Sequence, residues 1–167
     1  IYTQTANIVP VGAMASCINI TASNVTFNGN GYSIDNITFK NPAIYSFNSR
    51  NITIRGINIT VSNDSAGYGI QLERTNYSTL INNTLWGNFY GIYLLTGSHN
   101  NISSNIINQT GNSGIGIFVD SNSINNSLMS NSIITNASSV YLININNSVN
   151  NTIAGNSINS SGFLSDA

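Results

Sequence analysis

The feature that most constrains this chain is an internal repeat of 22–26 residues. Pairs of mostly apolar residues with one residue between them recur as Ile18/Ile20, Ile44/Ser46, Ile70/Leu72, Ile92/Leu94, Ile117/Val119 and Val140/Leu142, with starts 26, 26, 22, 25 and 23 residues apart. A second pattern recurs in phase: an aliphatic or aromatic residue, Asn three later, and an apolar residue five later. It reads Phe27–Asn30–Tyr32, Leu80–Asn83–Leu85, Ile102–Asn105–Ile107, Leu128–Asn131–Ile133 and Ile153–Asn156–Ile158, with Ile54–Ile57–Ile59 as the variant that replaces Asn by Ile. Within each repeat the apolar spacing is two, the period of a β-strand, as in Ile52-Thr53-Ile54. Gly and Asn interrupt every stretch that could turn helical, and 22–26 residues holding several strands leave no room for a crossover helix. A chain that returns to the same place after each repeat is a solenoid, and stacking its coils in parallel buries a continuous core.

The expected architecture is therefore all-β: a parallel solenoid of about six coils over residues 18–160. Residues 1–17 would form an amino-terminal cap, with Ile8, Val9 and Val11 lying across the first coil, and 161–167 a short carboxyl-terminal tail. Length variation between coils falls at turns such as Asn63–Gly69 and Asn108–Gly114. The 167 residues, 41% of them hydrophobic, suffice to bury a core and argue against disorder. Only 5% are charged, for a net charge of −1, so the clustered Lys and Arg that bind a nucleic-acid backbone are missing. No apolar run approaches the roughly 20 residues of a membrane span. Cys17 has no partner for an intrachain disulfide and suits a buried thiol; a chain beginning at Ile1 has the look of a mature or excised segment.

Polarity is carried by neutral side chains instead: 32 Asn, 24 Ser and 14 Thr, beside 26 Ile. Aligning the coils puts Asn30, Asn83, Asn105, Asn131 and Asn156 in one inward column at a bend between strands. A second polar column reads Ser78, Asn100, Asn126 and Asn151, continuing from Val25 and Ile52. Amides stacked at about 4.8 Å can donate to one another and so satisfy a buried column.

The stretch Asn19-Ile-Thr-Ala-Ser-Asn-Val-Thr-Phe-Asn-Gly-Asn-Gly-Tyr-Ser-Ile-Asp35, and later Ser148-Val-Asn-Asn-Thr-Ile-Ala-Gly-Asn-Ser-Ile158, resemble the coils of right-handed parallel β-helix repeat proteins. These belong to the pectate-lyase-like superfamily, and the flavour is similar to that of archaeal surface proteins. The resemblance spans about residues 18–160 and implies the fold. It implies no single function, because the superfamily holds lyases, hydrolases, epimerases, tailspikes and structural proteins.

Fifteen Asn-x-Ser/Thr sequons occur, at Asn19, Asn24, Asn36, Asn51, Asn58, Asn63, Asn76, Asn82, Asn101, Asn108, Asn125, Asn136, Asn146, Asn150 and Asn159, where this composition would give roughly seven by chance. In Asn51-Ile-Thr and Asn58-Ile-Thr an inward Ile leaves Asn and Thr facing out, as a glycan acceptor requires. Strand alternation with a high Thr content produces the same triplets, so the excess has two explanations.

Groups able to do acid–base chemistry are few. His99 lies in the turn Gly97-Ser-His-Asn, with no second His or Cys to complete a metal site. Glu73 and Asp120 share a column two coils apart, roughly 9–10 Å, with Leu95 between, near the carboxylate separation of an inverting glycosidase. Arg74 beside Glu73 is expected to pair with it. The lyases of the resembled superfamily use an Arg or Lys base with clustered calcium-binding Asp; here Asp35, Asp64, Asp120 and Asp166 are scattered and Lys40, Arg50 and Arg55 lie elsewhere. The aromatic cluster Trp86, Phe89, Tyr90 and Tyr93 offers a sugar-stacking platform or serves packing. Thr53, Thr79 and Thr152 share an outward column broken by Asn101 and Ser127, too irregular for an ice-binding face. The expectation is a non-catalytic extracellular or cell-surface structural protein, N-glycosylated and self-associating head to tail or laterally, without cofactor or metal. A polysaccharide lyase or hydrolase, and a carbohydrate-binding or adhesive module, are the rivals.

Overall fold

The computed structural model describes residues 1–10, 16–37, 41–61, 67–110, 114–137 and 140–161, with 36 and 37 as backbone. The chain winds as a parallel β-solenoid whose coils contribute one strand to each of three sheets. The first sheet stacks Tyr2–Thr3, Thr26–Asn28, Thr53–Arg55, Thr79–Ile81, Asn101–Ser103, Ser127–Met129 and Thr152–Ala154. The second stacks Ser33–Ile37, Asn58–Val61, Thr84–Trp86, Ile106–Gln109, Ser132–Thr135 and Ser157–Ser160. The third stacks Ile18–Ile20, Pro42–Phe47, Tyr68–Glu73, Tyr90–Leu95, Ile115–Asp120 and Tyr141–Ile145. Five complete turns run from Thr26 to Ile145, with partial turns at both ends, where the spacing had suggested six coils.

Strands of three residues place one side chain inward between two outward ones. Phe27, Ile54, Leu80, Ile102 and Leu128 of the first sheet, and Ile34, Ile59, Leu85, Ile107 and Ile133 of the second, are all buried. The longer third-sheet strands add the pairs Ile70/Leu72, Ile92/Leu94 and Ile117/Val119, all in register. They also hold two consecutive inward residues: Ala43, Gly69, Gly91, Gly116 and Leu142 form a column ahead of Ile44, Ile70, Ile92, Ile117 and Ile143. Glycine is required where neighbouring coils close in, since a Cβ on Gly116 would stand 2.5 Å from the Leu142 carbonyl oxygen. This column corrects the last repeat. Ile143 and Ile145, not Val140 and Leu142, pair with Ile117 and Val119.

The amino-terminal segment, expected to lie across the first coil, instead runs in register with it. Tyr2–Thr3 pairs in parallel with Phe27–Asn28, and Ile8 bridges Ile34. Residues 11–15, with Val11, and 162–167 of the expected tail lie outside the described residues, as do Lys40, Asp64 and Asp166.

Candidate functional site

Three corners turn each coil, and two of them, from the third sheet to the first and from the first to the second, use the left-handed backbone region in every described turn. At the corner entering the first sheet stand Asn24, Asn51, Tyr77, His99, Asn125 and Asn150, with φ of 61°, 55°, 52°, 58°, 55° and 56°. At the corner entering the second stand Gly56, Asn82, Ser104, Ser130 and Gly155, and leaving the third Asn48, Arg74, Thr96, Ser121 and Asn147. Asn and Gly tolerate this region better than other residues, which gives the Asn content a use the sequence pattern did not reveal. The available signal was an Asn, Gly or Ser one residue ahead of every ladder position except Ser78 and Asn100, which follow Tyr77 and His99.

Behind the first two corners run the amide ladders. Asn83, Asn105 and Asn131 each send Nδ2–H to the Oδ1 of the next coil's Asn at 3.0 Å, ending on Asn156. Their backbone N–H groups converge on the same oxygens at 3.0, 3.0 and 2.8 Å, and each Nδ2 also donates to a carbonyl oxygen of the preceding coil. Asn100, Asn126 and Asn151 repeat the arrangement at the other corner, and Ser78 N–H donates to Asn100 Oδ1 at 2.9 Å. Asn30 stands outside its expected column: it is exposed, with φ of 53°, in a wider turn closed by a Tyr32 N–H to Gly29 carbonyl hydrogen bond. The two extra residues of Gly29–Tyr32 push it out.

The outer face of the third sheet carries both candidate carboxylates. Glu73 and Asp120 flank Leu95 in one column. Tyr45 donates its hydroxyl to Glu73 Oε2 at 2.7 Å, and Tyr93 donates to Asp120 Oδ2 at 3.2 Å. Asp120 Oδ1 also accepts from the Ser121 N–H at 2.7 Å and from Asn146 Nδ2 at 3.0 Å. Burial first, then the hydrogen bond and charge of Glu73, push the Tyr45 hydroxyl up to about 12, with Arg74 opposing. Burial, then the charge and hydrogen bond of Asp120, push Tyr93 further up. Both carboxylates thus serve as acceptors for their own sheet. Arg74 does not pair with Glu73; its guanidinium carbon lies 5.8 Å from the centre of the Phe47 ring, and no ion pair forms among the described residues.

The aromatic cluster separates. Trp86 ends a second-sheet strand, 46% exposed, whereas Tyr90 and Tyr93 lie on the third sheet beyond the corner at Gly87–Phe89. Tyr90 and Tyr93 instead join Tyr68 and Phe118: Tyr93 stacks on Phe118 at 5.1 Å and 8°, and on Tyr90 at 5.3 Å and 24°. Rings whose faces cover each other offer edges to solvent, which makes them a packing ladder and a poor sugar platform. His99 stacks on Tyr77 at 4.8 Å and lies 3.4 Å from Asn125 Nδ2. Among the described residues no group of three His, Cys, Asp or Glu could hold a metal ion, and no helix is long and apolar enough to cross a membrane. Cys17 is half-buried, with its thiol pushed up by burial.

Of the sequon asparagines, Asn19, Asn24, Asn51, Asn82, Asn101, Asn125, Asn136, Asn146, Asn150 and Asn159 are exposed and Asn58, Asn76 and Asn108 half-buried; Asn63 and the side chain of Asn36 lie outside the described residues. Five of them, Asn24, Asn51, Asn82, Asn125 and Asn150, occupy left-handed corners. There the residue after the corner points in and the next is an outward Thr or Ser, so the corner itself writes a sequon.

A family profile described as a right-handed β-helix region matches residues 12–158. The chain belongs to the right-handed β-helix family. No curated protein and no solved structure matches it significantly. Membership in the β-helix family is compatible with both pectate-lyase-like and structural roles.

Proposed function

We propose that this chain is a non-catalytic structural length of β-helix, placed outside the cell, glycosylated at a subset of its sequons and self-associating through its ends. The observation that carries the proposal is the last described coil, whose donors and apolar side chains meet no acceptor or cover among the described residues. In each earlier laddered turn a backbone N–H and an Nδ2–H converge on an oxygen of the next coil. Asn151 and Asn156 hold the same donor pairs with no acceptor beyond them among the described residues, beside Val149, Ile153 and Ile158 at 60%, 48% and 39% exposure. Donor pairs and strand edges of this kind recruit the oxygens of a further strand. At the opposite end a cavity of about 340 Å³, lined by Tyr2, Ile18, Ile20, Val25 and Phe27, offers an apolar seat for the protruding isoleucines. Heterologous contacts that do not close generate filaments.

Two further observations support the proposal. Glu73 and Asp120 are engaged as acceptors for tyrosines, which commits both carboxylates within their own sheet. With 5% charged residues, sugars would supply surface hydration that charge does not. Asn101 is the best placed acceptor, exposed with outward Ser103 two residues on. Asn51 and Asn58 already donate their Nδ2–H to Asn24 Oδ1 and to the Gly31 carbonyl.

Sedimentation velocity at micromolar concentration, with amide exchange at Asn151 and Asn156, tests the assembly. Association with both amides protected is expected, and Ile153→Lys with Ile158→Lys should abolish it. A monomer whose two amides exchange freely would overturn the proposal.

A further inference from the structure

The outer face of the second sheet carries a column that neither the amide ladders nor the tyrosine stack uses. Trp86, the only tryptophan of the chain, is 46% exposed and in register with Asn108 of the next coil. Asn108 is in register with Ile134, itself 38% exposed, and Ile134 with Asn159. Apolar and sequon residues thus alternate along the helix as Trp86, Asn108, Ile134 and Asn159. Asn108 opens the sequon Asn108-Gln109-Thr110, in which Gln109 points into the core and Thr110 is exposed. Asn58, on the same sheet, spends its amide on the Gly31 carbonyl, whereas the Asn108 amide makes no hydrogen bond among the described residues. Scattered exposed apolar residues are normal on a protein surface. Two that bracket one outward sequon amide form a patch with an attachment point at its centre.

We propose that Asn108 is a glycan attachment site whose first sugar lies against the Trp86 indole, with Ile134 on its other side. The assignment rests on the reading that the chain is glycosylated and names the site. Coil spacing supplies the geometry. Residues in register on neighbouring coils stand about 4.8 Å apart. On the third sheet that spacing already brings flat groups face to face, Tyr68 with Tyr90 at 4.9 Å and Tyr93 with Phe118 at 5.1 Å. A pyranose is a ring with an apolar C–H face, and an indole offers a broad apolar face to meet it. Covering Trp86 and Ile134 withdraws apolar surface from water, and the sugar hydroxyls take its place outside. In attachment, Asn108 Nδ2 bonds to the anomeric C1 of a sugar carried on a phosphate. The C1–O bond breaks, its electron pair stays with the phosphate, and the amide gives up one proton. The phosphate-activated sugar and the transferase that uses it come from outside this chain.

Glycopeptide mass spectrometry of natively produced protein should find sugar on Asn108, and Thr110→Ala should leave that amide bare. Trp86 reports the contact as the only indole. In Thr110→Ala its emission should shift to the red and its quenching by acrylamide should rise; Asn108→Gln should do the same and serves if the first variant misfolds. In protein made by a host without the transferase, neither substitution should move the emission. Sugar on Asn101 with Asn108 bare would overturn this assignment and leave glycosylation standing, whereas peptides bare at every sequon would overturn both. Sugar on Asn108 with unchanged emission and quenching in both variants would overturn the contact, as would an equal shift in the unglycosylated protein.

Discussion

Ile57 holds the corner position that Asn83, Asn105, Asn131 and Asn156 hold in later turns, and Ile52 the position of Ser78, Asn100, Asn126 and Asn151. Both isoleucines are fully buried in the same fold, at 0% and 1% exposure. Their backbone N–H groups nevertheless find acceptors, Ile57 on Asn83 Oδ1 at 3.3 Å and Ile52 on Ser78 Oγ at 2.9 Å. Each ladder oxygen therefore serves the coil before it. The first member of a ladder can be apolar, because no earlier corner depends on it: Tyr32 of the preceding turn closes locally on Gly29. A middle member cannot, because it satisfies its predecessor's backbone and side chain together.

The largest effect expected from this contrast is at Asn131. Replacing it by Leu orphans the N–H and Nδ2–H of Asn105 in a buried column, which should cost about 2–4 kcal/mol in urea unfolding. An unchanged midpoint would break the comparison. Ile57→Asn probes the apolar corner. The new amide can donate to Asn83 Oδ1, but its own oxygen gains no donor from Tyr32, so a loss of about 1–2 kcal/mol is expected. A stabilised variant would show that the ladder could have begun one coil earlier. Asn156→Leu orphans the donors of the buried Asn131 beside a half-exposed position, and should cost about 1 kcal/mol in the unassembled protein. A loss as large as that at Asn131 would mean that the end is already covered.

The smallest expected effect is an alkaline one, set by the tyrosine–carboxylate pairs of the two regions. Tyr45 is held up at about 12 against an ordinary 10, so the folded state keeps its proton longer than the unfolded chain. Its contribution is complete below pH 10 and fades as pH rises through about 12. Tyr93, held higher by burial and then by Asp120, should titrate later. Absorbance titration near 295 nm should show Tyr45 and Tyr93 among the late-ionising tyrosines, beside Tyr68 and Tyr90, which burial also raises. Tyr45→Phe should remove a transition near pH 12 and Tyr93→Phe a later one. Peptide mass spectrometry of natively produced protein sharpens a different part of the contrast. Sugar is expected on Asn101, with the corner sequons at Asn24 and Asn51 bare; fully bare peptides would remove the glycan proposal.

The inward pairs from Ile18/Ile20 to Ile117/Val119 were legible because alternation with period two is a local consequence of strand geometry. The register failed at Val140/Leu142 for an equally definite reason. Third-sheet strands carry two successive inward residues, and in three coils the first of them is a glycine, which has no side chain to announce which way it faces. Asn30 was misplaced because two additional turn residues shift the corner without disturbing the apolar spacing on either side. Trp86 and Tyr90 are four residues apart in sequence, yet the corner at Gly87–Phe89 puts them on different faces.

The sequence by itself determined that this chain is a parallel solenoid, where most of its core lies, and that asparagine recurs once per coil at a bend. Those properties repeat with the chain and need only local periodicity to be seen. Only the tertiary structure decided which asparagines became ladder, corner or surface residues, and that Tyr45 and Tyr93 tie down Glu73 and Asp120. The ladder bonds join residues 22–26 positions apart, and the two tyrosine bonds span 28 and 27. Partners that distant are chosen by the stacking of coils at about 4.8 Å, a distance that no stretch of sequence contains.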